Sequence, residues 1–75
     1  MTLQDLRPGS SATIVGYTDD LPGAHRDRLE DLGFRPGTVV TCTRQPGFGS
    51  PHVYVLHGTV YAMDRDVARG VEVAA

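Results

Sequence analysis

The 75-residue sequence has no lysine, no tryptophan, one cysteine and only three tyrosines and two phenylalanines. Each shortage excludes something. Cys42 alone cannot form an internal disulfide, so nothing covalent braces the core. That core must be thin, because a chain this short buries only about 60% of its unfolded surface. The seven basic residues are all arginine and face nine carboxylates, for a net charge of −2 and a pI of about 5.8. Nucleic-acid backbones and anionic lipid surfaces are both held by clustered positive charge, so this balance disfavours both. No apolar run approaches the roughly 20 residues of a membrane span. The first residues, Met1-Thr2-Leu3-Gln4-Asp5, lack the basic start and apolar stretch of a secretory leader. The expectation is a cytoplasmic protein without direct membrane insertion, no nucleic-acid partner, and a protein as its default partner.

What the sequence has in quantity is Pro-Gly, at Pro8-Gly9, Pro22-Gly23, Pro36-Gly37 and Pro46-Gly47. Proline presets φ for the first central position of a type II turn, and glycine accepts the positive φ of the second. Four such turns would cut the chain into the short segments of a compact β-rich domain. Leu3 and Leu6 form a short lead-in. Residues 12–17 read as a strand, with Ala12 and Ile14 on one face, Thr13, Val15 and Tyr17 on the other, and Gly16 a candidate bulge. Residues 24–32 predict the one good helix. Leu29 and Leu32 mark its apolar side, Arg26-Glu30 and Arg28-Asp31 are spaced as ion pairs, and Asp19 or Asp20 leads its start. Gly33 is placed as the left-handed residue just past the helix, with Phe34 folding over Leu29 and Pro36 forbidding continuation.

Residues 38–44 are β-branched, with Val40 and Cys42 sharing a face. Residues 46–51 form a Gly/Pro loop carrying Phe48. Residues 52–56 and 59–63 are two strands joined through His57-Gly58, and Tyr54 with Leu56, like Tyr61 with Met63, read as core. Asp64 caps a short helical turn ended by Gly70, and Val71 and Val73 form a last strand. The fold expected is mainly β: a small SH3-like barrel of about five strands in a single domain, residues 1–75. One α-helix follows the first strand and a short helical turn precedes the last. Closing such a barrel removes exposed edges.

Arg28-Leu29, then Leu32-Gly33-Phe34 and Pro36-Gly37, form one spaced segment. It follows Leu3, Leu6 and Pro8-Gly9, and precedes Phe48-Gly49-Ser50-Pro51, Gly58, Tyr61-Ala62-Met63 and Ala68. In order and spacing this resembles the FeoA family, and the similar C-terminal domains of iron-dependent repressors. Gly47, Ser50 and Asp64 depart from the family pattern, which usually has Pro, Asp and a basic residue there. The resemblance implies a cytoplasmic SH3-like accessory of bacterial ferrous-iron uptake that docks on the cytoplasmic GTP-binding domain of a FeoB-type transporter. On that reading Leu29, Gly33, Phe34, Pro36 and Gly37 are structural.

The residues themselves leave binding as the open class. Phe48, Tyr17, Leu21 and Arg28 are the side chains that could face a partner, each with a structural reading beside it. Catalysis is not expected: Cys42 has no nameable base, and Gly47-Phe48-Gly49 lacks the lysine and helix of a phosphate cradle. The alternative function is a metal-responsive sensor or iron carrier. Its weak ligand candidates are Asp27 and Asp31, one helical turn apart, beside Glu30, His25, His52 and His57. His52 and His57 alternate to opposite faces, so no cofactor is expected and ferrous iron finds no clustered ligand spacing. A generic module for Pro-rich peptides would want a groove of aromatics that this chain is short of.

Overall fold

The computed structural model describes residues 1–44 and 51–74. The expected Pro46-Gly47 turn and the presented Phe48 lie outside those residues. A single 3₁₀ turn, Leu3–Asp5, leads in. After it come β1 (Ser11–Tyr17), α1 (Gly23–Leu32), β2 (Val39–Arg44), β3 (His52–Leu56), β4 (Thr59–Met63), α2 (Arg65–Ala68) and β5 (Val71–Ala74). The strands form one antiparallel sheet in the order β4-β3-β2-β1-β5. This is the mainly β architecture expected, with the helix and the helical turn in their expected places.

Two Arg-Pro-Gly turns deliver the chain into β1 and β2. The Arg7 carbonyl accepts the Ser10 N–H at 2.9 Å and the Arg35 carbonyl accepts the Thr38 N–H at 3.1 Å. Gly9 and Gly37 take φ of 87° and 93°, as type II turns require. Pro22-Gly23 behaves differently. Gly23 opens α1, and the Pro22 carbonyl accepts the His25 and Arg26 N–H groups. Proline's fixed φ suits a helix entrance as well as a turn, so the dipeptide alone does not choose. No side chain caps α1, so neither Asp19 nor Asp20 fills the expected role. Asp64 stands at the N-cap position of α2, yet its carbonyl rather than its carboxylate takes the first N–H groups.

The other end of α1 matches the sequence closely. Gly33 has φ 105°, its N–H reaches Glu30 O at 3.1 Å, and the Phe34 N–H reaches Leu29 O at 2.9 Å. These are the two bonds of a Schellman stop. The Arg35 Nε donates to the same Glu30 carbonyl at 2.9 Å. Of the helix's apolar pair, only Leu29 is buried; Leu32 is 36% exposed. Neither Arg26-Glu30 nor Arg28-Asp31 closes to an ion pair. Among the described residues the recorded pair is Arg69–Asp66, on the surface.

The core lies on one face of the sheet. Ala12 and Ile14 of β1, Val40 and Cys42 of β2, and Tyr54 and Leu56 of β3 are all buried. Val71 and Val73 of β5 join them, and Phe34, Leu29 and Leu3 close the cluster. The β1–β5 register shifts between Ile14 and Gly16, the bulge that Gly16 suggested. Beyond it Tyr17 packs partly buried against the core rather than continuing the outer face of Thr13 and Val15.

Leu21 also departs from expectation, being buried at 6% exposure. The Thr18 carbonyl accepts the Leu21 N–H, while the Thr18 N–H donates to Gly70 O, folding the segment over the end of α2. There Leu21 fills the space a side chain at Gly70 would need: a Cβ on Gly70 would fall 2.6 Å from Leu21 Cδ1. A leucine before proline reads as a loop residue until that neighbour is known.

Tyr54 ties the sheet to the N-terminal turn. Its hydroxyl donates to Leu3 O at 2.9 Å and lies 3.2 Å from His52 Nδ1. Burial, with smaller contributions from Cys42 and Asp5, pushes its phenol well above the ordinary 10.0. The folded state therefore holds this proton after the unfolded chain would release it, so the stability it confers is complete below about pH 10 and is lost as pH rises beyond. Melting temperature should fall steeply above that pH. Tyr54→Phe should flatten the fall, leaving the part due to Tyr17, which burial also raises. At neutral pH the same change should cost about 1–3 kcal/mol, because Leu3 O loses its buried donor. An unchanged alkaline profile in this variant would refute the assignment.

Candidate functional site

The partner-facing residues named from the sequence are dispersed. Leu21 is core. Tyr17 is a strut: its hydroxyl donates to the Phe34 carbonyl and the Arg26 guanidinium sits over its ring, 5.6 Å from the centroid. The Arg26 Nε is buried there without a hydrogen-bond partner, so the ring face is its compensation. Phe48 lies outside the described residues. Arg28 is the one placed where a partner can reach it, exposed on the outer side of α1.

Arg28 stands at the rim of a groove of about 450 Å³ between α1, β4 and α2. Leu29 and Leu32 form the helix side, Tyr61 and Met63 the strand side, and Val67 one end. The geometry comes from β4. Its alternate residues Tyr61 and Met63 turn toward the core but are only half buried, because the sheet has no strand beyond them. Tyr61 reaches across instead. Its hydroxyl donates to Leu32 O at 3.2 Å and its ring meets Phe34 edge-on, with centroids 5.2 Å apart at 70°. The bond to Leu32 O satisfies one of the orphan carbonyls at the end of α1. Tyr61 and Met63 thus both pack against the core and line the groove. A smaller hollow of about 330 Å³ lies between Leu21, Pro22, His25 and Arg69, with Asp66 among its mixed charges.

Asp27 and Asp31 are exposed on α1, and among the described residues no three His, Cys, Asp or Glu side chains converge to hold an ion. His52 is buried beside Tyr54, while His57 is exposed in the hairpin turn with φ of 52°. Cys42 is fully buried and not in a disulfide, consistent with a small core residue. No helix among the described residues is long and apolar enough to cross a membrane.

Sequence reasoning missed the groove because each of its apolar residues also fits a core position. The available signal was positional. β4 ends the hairpin and leads into a helical turn, so nothing obvious covers its outer side.

Comparison with known proteins gives one consistent answer. The FeoA domain family matches residues 1–75. Among solved structures, the chain is similar to FeoA of Stenotrophomonas maltophilia, crystallised with zinc and described as a prokaryotic SH3 domain protein. The two share 29% identity and a TM-score of 0.87, over 99% of this chain and 89% of that one. It is equally similar to FeoA of Chlorobium tepidum, with 30% identity and a TM-score of 0.85 over 97% of this chain and 68% of the other. A manganese-dependent transcriptional repressor shares the fold at 13% identity and a TM-score of 0.87, this chain spanning 41% of its length. Among curated protein sequences none gives a significant match.

Proposed function

We propose, from the premise that this chain belongs to the FeoA family of ferrous-iron transport proteins, that it is a non-enzymatic cytoplasmic accessory which docks on the GTP-binding domain of a FeoB-type transporter. The observation that carries this reading is the family match over residues 1–75. The groove beside Arg28 supports the reading physically, since concave apolar surface with a few charged groups at its rim is where partners gain affinity.

The test is a calorimetric titration of the purified protein against the transporter's cytoplasmic portion, nucleotide-free and with GDP or GTP. Saturable binding is expected, weakened at least about tenfold, or ~1.4 kcal/mol, by Arg28→Glu. Absence of binding in every nucleotide state, with iron uptake unimpaired after deletion, would reject the proposal.

A further inference from the structure

The sheet has two edges, and the chain treats them differently. Along β5, Thr2 bridges to Glu72 and the Val73 N–H donates to Met1 O at 2.9 Å, so the N-terminal residues cover that edge. The edge of β4 has no such cover among the described residues. Among the described residues the edge of β4 is therefore left open, where barrel closure was expected to remove it.

The hairpin fixes which groups are left over. His57 and Gly58 have φ of 52° and 78°, a two-residue type I′ turn. Such a turn makes Leu56 and Thr59 a hydrogen-bonded pair, and alternation extends this to Tyr54-Tyr61 and His52-Met63. Val60 and Ala62 consequently direct their N–H and C=O groups outward. Neither takes part in any other backbone bond among the described residues. The usual protections of an open edge are missing too: Thr59–Met63 holds no proline, no charge and no bulge, and Val60 is 65% exposed.

This edge forms one side of the groove and α1 forms the other. A slot between an edge strand and a helix is the geometry in which domains take an extended peptide as an added strand. We infer that the groove between β4 and α1 binds an extended segment of a protein partner as a sixth strand. The segment pairs with Val60 and Ala62 and places an acidic side chain against Arg28. Five residues of β4 span about 17 Å, room for a segment of similar length. Apolar side chains on its inward face meet Leu32, Tyr61 and Met63. The acidic preference comes from Arg28, exposed on the helix wall and in no ion pair among the described residues. Asp64 also lines the groove and disfavours an acid placed beside it. The inference rests on the docking reading only for where such a segment comes from.

The probe is the peptide acetyl-Val-Thr-Glu-Thr-Val-Thr-amide, whose two valines and glutamate share one face of an extended strand, titrated into the full chain with amide exchange followed by NMR. Saturable binding should slow exchange at the Val60 and Ala62 amides by about tenfold or more. Arg28→Glu should weaken binding about tenfold, and a peptide with lysine for glutamate should recover it. Ala62→Pro removes one outward N–H at an edge that tolerates proline, and should weaken binding similarly. If that variant does not fold, the exchange measurement on the unaltered chain decides. No saturation by millimolar peptide, binding that leaves both amides unprotected, or binding indifferent to the charge swap would each overturn the inference. The transporter titration separates the two readings. Binding of its cytoplasmic portion without peptide binding keeps docking and removes the added strand. Peptide binding with protected amides and no transporter binding does the reverse.

Discussion

Phe34→Ala should destabilise the domain by about 3–5 kcal/mol. Phe34 is completely buried and sits where the helix, the sheet and the groove meet. Truncation removes a ring from the buried cluster that includes Leu29, Val40 and Leu56, and the edge-on contact with Tyr61 goes with it. That contact adds about 0.5–1.5 kcal/mol beyond area. The backbone is not the cause, since the Phe34 carbonyl can still accept from Tyr17 and its N–H can still donate to Leu29. A domain of this length has roughly 4–11 kcal/mol in all, so much of the population should unfold near 37 °C. Phe34→Leu should cost far less, about 1–2 kcal/mol, because most of the volume remains. Urea denaturation of the two variants checks the difference. Equal losses would mean that the cavity is not what matters.

Gly33→Val should cost about 3 kcal/mol, and two separate mechanisms contribute. Gly33 has φ 105°, where an L side chain carries a penalty of about 1–2 kcal/mol and a β-branched one more. A Cβ there would also lie 3.3 Å from Leu56 Cδ2 and 3.6 Å from His57 Cδ2, so the added methyls press on the β3–β4 hairpin. The sequence alone supports only the first mechanism, since the hairpin's approach is invisible in it. Thermal melting should drop by more than about 10 °C in a chain of this size. Gly33→Ala separates the contributions, retaining the backbone penalty and one contact without the branched bulk. A valine variant melting within a degree or two of the unaltered chain would refute the helix-stop assignment.

These two neighbours explain how much of the architecture is legible in the sequence. The helix stop is local chemistry: the Leu-Gly-Phe order dictates the Schellman bonds, and the two bonds observed are the ones it implies. The Gly16 bulge, the His57-Gly58 hairpin and the buried face of β2 are legible for the same reason, because each depends on residues within one turn or one strand. Pro22-Gly23 is not. It satisfies both a type II turn and a helix entrance, and only the packing of α1 through Leu29 chooses between them.

The candidate site is less legible than the fold. Arg28 is exposed as expected, yet its link to Asp31 does not form. Leu21 and Tyr17 look free in the sequence because one precedes a proline and the other ends a strand. Gly70 makes room for the first, and the carbonyl of Phe34 captures the second. Both partners are distant in sequence. Tyr61 and Met63 fit core positions, but the core ends at β4 and leaves them shared with the groove.

The sequence by itself determined the class of protein: a small β-rich domain of slightly acidic charge, whose turns, helix stop and strand faces depend on nearest neighbours. Tertiary structure decided which edge of the sheet stays open. β5 is covered because the N-terminal residues reach it, while β4 faces a helix placed by Tyr61 and Leu32 rather than by another strand. Strand alternation says which side chains face a core. It does not say whether another backbone arrives to pair, because that depends on segments far apart in the chain.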